Sequence, residues 1–128
     1  MSANLIVKEF LGAFTPFESQ LEGEAGPITF INTFVLPSTE AVEPFLAHWN
    51  DDGAYMKSQY GMLSAQLHRS LGHGSNVFVN VAIWESLDAF RRAFQNPDFQ
   101  RTFSEFPKGT HMYPLVLTKV AVPGVCVN

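Results

Sequence analysis

The sequence predicts an α+β domain of the ferredoxin-like, split βαβ kind, a four-stranded antiparallel sheet with helices on one face. Three observations lead there. Four segments alternate apolar and polar residues as strands do, the segments between them repeat at helical spacing, and Gly72-His73-Gly74-Ser75 joins the middle pair of strands as a hairpin, giving the order βαββαβ.

At 128 residues, 46% hydrophobic and 16% charged, the chain has the makeup of one globular domain. Folding at this length buries roughly two-thirds of the extended surface, so the core requires neither a disulfide nor a structural metal. The 8 Lys+Arg against 12 Asp+Glu leave a net charge of −4. That lacks the basic surplus that phosphate neutralisation demands, and nucleic acid is not an expected partner. No apolar run reaches the ~20 residues of a membrane span, residues 1–8 lack the pattern of a leader, and the lone Cys126 suits a reducing compartment. The expectation is a cytoplasmic protein with no membrane partner. The 12 Phe, with 2 Trp and 3 Tyr, imply a heavily aromatic core or a pocket suited to planar ligands.

Residues 1–26 read as an N-terminal extension, 27–122 as the compact domain and 123–128 as a tail. In the extension Leu5, Ile6, Phe10, Ala13 and Phe14 recur at helical spacing until Pro16, which predicts a short amphipathic helix packed on the domain or on a second subunit. The charged, Gly/Pro-rich stretch 22–27 closes it. The first strand is Ile28–Val35. Residues 38–58 carry Val42, Phe45, Leu46, Trp49 and Met56 on one helical face, and Pro44, costly by about 3 kcal/mol in a helix interior, predicts that the regular helix begins there. Tyr60-Gly61 ends it. Residues 62–71 and 76–85 are the hairpin strands. Ser86 is placed to cap a helix with Leu87, Phe90 and Phe94 on one side; Asn96-Pro97 restarts another carrying Phe99, Phe103 and Phe106. The fourth strand is expected over 112–120, where Pro114, lacking an N–H, points to an edge or a strand start.

The third strand has two apolar faces: Phe78, Asn80, Ala82 and Trp84 on one, Val77, Val79, Val81 and Ile83 on the other. If helices cover the first, leaving the second in water forfeits roughly 6–12 kcal/mol of burial, on the scale of the ~5–15 kcal/mol that holds a domain together. A second copy of the sheet covers it symmetrically, so a homodimer is expected. Asn80 interrupts the buried face. An unpaired carboxamide there costs ~1–3 kcal/mol, so a side chain, a water or a ligand must partner it. Asn32 falls on the face of Ile28, Phe30 and Phe34. If the two faces coincide, both amides, with Trp84, Phe90 and further aromatics, line a space between sheet and helices, and the Trp84 indole needs an acceptor there.

Asn80-Val81-Ala82-Ile83-Trp84-Glu85-Ser86, followed by Leu87-Asp88-Ala89-Phe90, resembles the NxAxWES…AF/Y signature of the antibiotic biosynthesis monooxygenase family. The turn Gln59-Tyr60-Gly61-Met62-Leu63-Ser64-Ala65 and the element order agree with it over about residues 28–121. The resemblance implies a dimeric α+β barrel and, in the anthrone-oxidising branch, a cofactor-independent monooxygenase acting on a phenolic or quinol-type polycyclic aromatic with O2. Asn80 and Trp84 match the amide and indole which that branch sets around its substrate, and are expected to be catalytic together with Asn32. Phe30, Phe34, Phe78, Phe90, Trp49, Tyr55 and Arg101 are expected to bind the substrate, Arg101 as the nearest counterpart of a pocket arginine. The branch's tyrosine six residues after the tryptophan is Phe90 here. In the heme-degrading branch the helical Trp falls at Ala93 and the iron-binding His at Phe103, while Asn32 resembles that branch's first-strand Asn. Heme turnover is therefore not expected.

The proton acceptor is open among Tyr55, His48, His68 and His111. His48, His68, His73 and His111 show neither HxH nor HExxH spacing and no Cys partner, so no metal site is expected, and no cofactor. The rival readings are a barrel that binds a hydrophobic small molecule or is filled by its own Phe side chains, and an isomerase of a small carbonyl compound. Their discriminator is whether an open, aromatic-walled cavity adjoins Asn80 and Trp84.

Overall fold

The computed structural model describes residues 4–126. Strands β1 (Leu5–Val7), β2 (Ile28–Val35), β3 (Met62–Arg69), β4 (Val77–Trp84) and β5 (Thr110–Leu117) form one sheet in the order β1-β5-β2-β4-β3. Helices α1 (Phe17–Gln20), α2 (Val42–Lys57), α3 (Leu87–Phe94) and α4 (Pro97–Arg101) complete it, with 3₁₀ turns at Thr39–Ala41 and Thr102–Glu105. The first and third of the expected strands, β2 and β4, are central neighbours.

The sheet has five strands, not four, and the extension begins as a strand. The helix expected over Leu5 to Phe14 does not form: Leu5, Ile6 and Val7 pair in parallel with Thr110, His111 and Met112. Leu5 is buried, whereas Phe10, Leu11 and Phe14 are exposed, so the helical spacing marked no common face. Ile6 and Val7 are β-branched, and the edge of β5 offers backbone partners that a lone helix could not match; the Lys8 N–H donates to the Met112 carbonyl at 2.8 Å. The extension's helix is instead the single turn α1, whose Phe17 packs against Phe94 and Phe30 at ring distances of 5.4 and 6.3 Å. Arg91 then ties the following turn down, donating to the Leu21 carbonyl at 2.6 Å and the Gly23 carbonyl at 3.1 Å.

Pro114 sits where its missing N–H does no harm. Along β5 the backbone of Met112 and Val116 turns away from β2: the Met112 carbonyl accepts from Lys8, the residue after β1, and the Val116 N–H donates to Gln20 Oε1 at 2.8 Å. Pro114 lies between them on that edge. In α2 regular helix starts at Val42, two residues before Pro44, which occupies a first-turn position whose N–H has no intrahelical partner anyway. Ser86 and Asn96 cap α3 and α4, accepting from the Ala89 and Asp98 N–H at 3.1 and 2.9 Å. Gly61 enters β3 at φ 90°, and a Cβ there would lie 2.4 Å from that of Ala89, so only glycine lets this turn pass under α3.

The core is a chain of rings between the sheet and the helices. Phe30, Phe90, Phe94, Phe99 and Phe103 link one half, Phe34, Phe45, Phe78 and Phe106 the other. The opposite sheet face, with Val77, Val79, Val81 and Ile83, stays half-exposed.

Candidate active site

Strand register positions the central pair. Because β2 and β4 run antiparallel, Asn32 stands directly opposite Asn80, in a row continued by Leu67 of β3 and Pro114 of β5. Residues so opposed hold their Cβ atoms ~4.5–5.5 Å apart, so the two carboxamides are neighbours on the helix-facing side. The adjacent row is Ala65, Ala82, Phe30 and Val116, and the short alanines leave a hollow above them. Trp84, one row further, is 1% exposed and meets Phe90 edge-on at 5.5 Å.

A cavity of about 60 Å³ occupies this hollow. Asn32, Asn80, Trp84, Phe30 and Phe34 wall it from the sheet, Phe90 and Phe94 from α3, and Phe99, Phe103 and Phe106 from beyond. Three polar atoms of its walls have no hydrogen-bond partner among the described residues: Asn32 Oδ1, Asn80 Oδ1 and Trp84 Nε1. The Asn32 amide otherwise makes one weak contact, Nδ2 donating to Met112 Sδ at 3.3 Å. Each orphan costs about 1–3 kcal/mol. Two acceptors and a donor on one aromatic-walled hollow suit a flat molecule carrying oxygen substituents.

Helix α2 supplies the facing wall through Trp49, Asp52, Gly53 and Met56, spaced so that one helical side meets the cavity. Asp52 is 8% exposed and is the one ionisable residue among those walls. Its Oδ2 lies 3.5 Å from His48 Nε2 and accepts from the Thr102 hydroxyl at 3.3 Å. Burial pushes its pKa up to about 6; the nearby imidazole and the Thr102 bond pull it down, and Glu105 and Asp51 push it up. On its other side Asp52 opens, with His48, Tyr55, Thr102 and Glu105, onto a surface cleft. The His48 ring stands edge-on to Phe106 at 4.3 Å, with its Nε2 still lacking a hydrogen bond.

Of the expected site residues, Asn32, Asn80, Trp84, Phe30, Phe34, Phe90 and Trp49 wall the cavity, and three do not. Phe78 faces the same side but is walled off, packed on Phe45 at 5.1 Å beneath the Arg69 guanidinium. Tyr55 stacks on Phe99 at 5.4 Å and donates its hydroxyl to the Ala93 carbonyl at 3.3 Å, bracing α2 against α3. Arg101 lies on the surface, paired with Asp98 of its own helical turn. His68 and His111 sit beside Val79 and Val35 on the opposite sheet face. Asp52 escaped the sequence reading. Its signal was an acid three residues after Trp49 and four before Met56, on an otherwise apolar helix face, with His48 one turn earlier. Among the described residues no three His, Cys, Asp or Glu side chains converge as a metal site would require.

Comparison with known proteins points one way. The profile of the antibiotic biosynthesis monooxygenase family matches residues 27–105, more than half of the chain. The deoxynogalonate monooxygenase of Streptomyces nogalater is 33% identical over 76 residues, a match that spans 62% of that protein's length and 59% of this chain. The crystal structure of SnoaB, a cofactor-independent oxygenase from Streptomyces nogalater, superposes with a TM-score of 0.68 at 26% identity, over 78% of this chain and 99% of that one. A candidate monooxygenase from Shewanella loihica PV-4 does so with a TM-score of 0.65 at 30% identity, over 78% and 100%.

Proposed function

This chain belongs to the antibiotic biosynthesis monooxygenase family, and from that premise we propose that it oxidises a phenolic, quinol- or anthrone-type polycyclic aromatic with O2, without a cofactor. The observation that carries the reading is the paired row of Asn32 and Asn80 beside Trp84, with unpartnered polar atoms on an aromatic-walled cavity.

Triplet oxygen accepts electrons singly, and an ionised quinol or anthrone can give them. Loss of a proton from the substrate leaves an electron-rich anion; one electron passes to O2, the two radicals join in a C–O bond, and the peroxide expels water to leave a carbonyl. One oxygen atom ends in the quinone and the other in water. The protein's part is to hold the ring flat, keep water out and stabilise the anion. A carboxamide can turn either end to a ligand, so Asn80 and Asn32 donate N–H to the oxyanion, as does the Trp84 indole, with each donor contributing about 2–4 kcal/mol in a dry site. Phe30 and Phe90, 4.4 Å apart, supply the flat walls.

At about 60 Å³ the cavity falls well short of the ~300–1,000 Å³ of ordinary ligand pockets. Dioxygen fits as it stands; a tricyclic substrate enters by displacing the flexible Met56 and Met62 side chains at the wall. The small size also favours a second reading, proton transfer within a small carbonyl compound. The two part on whether oxygen is consumed.

Oxygen uptake by the purified, metal-free protein over a panel of hydroquinones and anthrones tests the proposal. Asn80→Ala should lower the rate by about 10²–10³-fold while circular dichroism and melting stay those of the parent. Equal uptake by variant and parent removes Asn80 from the mechanism.

A further inference from the structure

An oxidation that begins with proton loss needs a proton acceptor, and none of the residues of the Asn32–Asn80–Trp84 group can serve, since amides and indole do not ionise near neutral pH. We propose that Asp52 is that acceptor: its carboxylate takes the proton of the substrate's phenolic O–H or activated C–H, leaving the bonding electron pair on the substrate, and returns it to the oxygen that departs as water. The inference rests on the monooxygenase reading above and adds to it the base and the route of the proton.

Geometry selects this residue. Asp52 alone among the described residues of the cavity walls can ionise, and it shares with Trp49, Gly53 and Met56 the side of α2 that meets the cavity. Asp52 is also a wall of the surface cleft, so the residue lies between the aromatic interior and water, with its Oδ2 beside His48 and Thr102. A buried carboxylate is kept only where something offsets its cost, and here the partners are few: His48 at 3.5 Å and the Thr102 hydroxyl at 3.3 Å. His48 is placed to steady the charge and to pass protons to the cleft. The charged and titratable groups that face Asp52 are His48, Asp51 and Tyr55 on its own helix, Glu105 on the 3₁₀ turn, and Asp98 across the cleft. Burial above all, with Glu105 and Asp51 adding to it, holds the carboxyl protonated to higher pH and places its titration where a general base is effective.

The test measures oxygen uptake with anthrone as substrate against pH, for the parent, Asp52→Asn and Asp52→Glu, together with binding of 9,10-anthraquinone read by tryptophan quenching. The parent's rate should fall as pH drops through about 6, as Asp52 protonates. Asp52→Asn should be slower by about 10²–10⁴-fold and lose that acid limb, Asp52→Glu should recover part of the rate with a limb of its own, and quinone Kd should stay within about threefold. A parent profile without an acid limb overturns the inference with no variant needed. So does Asp52→Asn turning over at the parent's rate, an outcome that leaves the monooxygenase reading standing. Uptake by no form of the protein overturns both.

Discussion

A carboxyl that titrates near 6 inside an aromatic core weakens the fold at neutral pH. The pKa of Asp52 is raised from 3.8 to about 6, chiefly by burial. Between those values the native chain binds more protons than the unfolded one, so stability increases as pH falls through 6 and levels off below about 4. Asp52→Asn removes the penalty while keeping an acceptor for Thr102. At about pH 8 the variant should be more stable than the parent by ~1–3 kcal/mol, and the gap should close toward pH 4, as urea titrations at several pH values would show. A parent whose stability rises with pH over this span would contradict the assignment. The sequence leaves the acceptor open among His48, Tyr55, His68 and His111, residues with suitable side-chain chemistry and no context that singles one out. The packed chain narrows that set: Tyr55 is spent on a carbonyl, His68 and His111 lie on the opposite face, and Asp52, which the sequence did not single out, is buried at the cavity wall.

At the scale of elements, the N-terminal segment matters most. Its strand completes the edge of β5, its Leu5 side chain walls the cavity, and α1 brings Phe17 onto Phe30 and Phe94. Asn4 adds a tie, its Nδ2 donating to the Ser104 carbonyl at 2.6 Å. The segment is thus part of the cavity wall and of the sheet. Leu5→Ala should cost about 2–5 kcal/mol, the usual range for emptying a buried leucine site, with an unchanged dependence on urea concentration. A change under about 0.5 kcal/mol, as for a surface substitution, would mean that β1 is not docked as described. The helical spacing of 5, 6, 10, 13 and 14 misled because it rests on few positions, and an available sheet edge outweighs so short a pattern.

For the whole molecule, the half-exposed valine face of β4 continues across Ile31, Val35 and Leu115 of the neighbouring strands. Exposed Phe10, Leu11 and Phe14 add apolar surface in the segment after β1. A homodimer joined through the sheets would bury that face, with an interface on the order of 1,200–2,000 Å² expected for a stable pair. Sedimentation should give twice the 14.2 kDa chain mass, and Val81→Glu, which puts a charge at the middle of the face, should shift the protein to monomer by several kcal/mol of lost association. A parent that sediments as a monomer at micromolar concentration would remove the dimer.

Local patterning was enough to determine where the four long strands, their capped helices and the hairpin lie. Alternation and caps are properties of adjacent residues, and the Asn80 to Phe90 signature lies on consecutive elements. It also determined that Asn32 and Asn80 each point from an apolar strand face. Their side-by-side placement depends on the β2–β4 register, which joins segments some fifty positions apart, and nothing in either strand alone sets it. The same holds for the fifth strand, for the inward turn of Asp52 and for the outward one of Arg101. Each is decided by which distant surface a residue meets, because burial and pairing are settled by the packed chain as a whole.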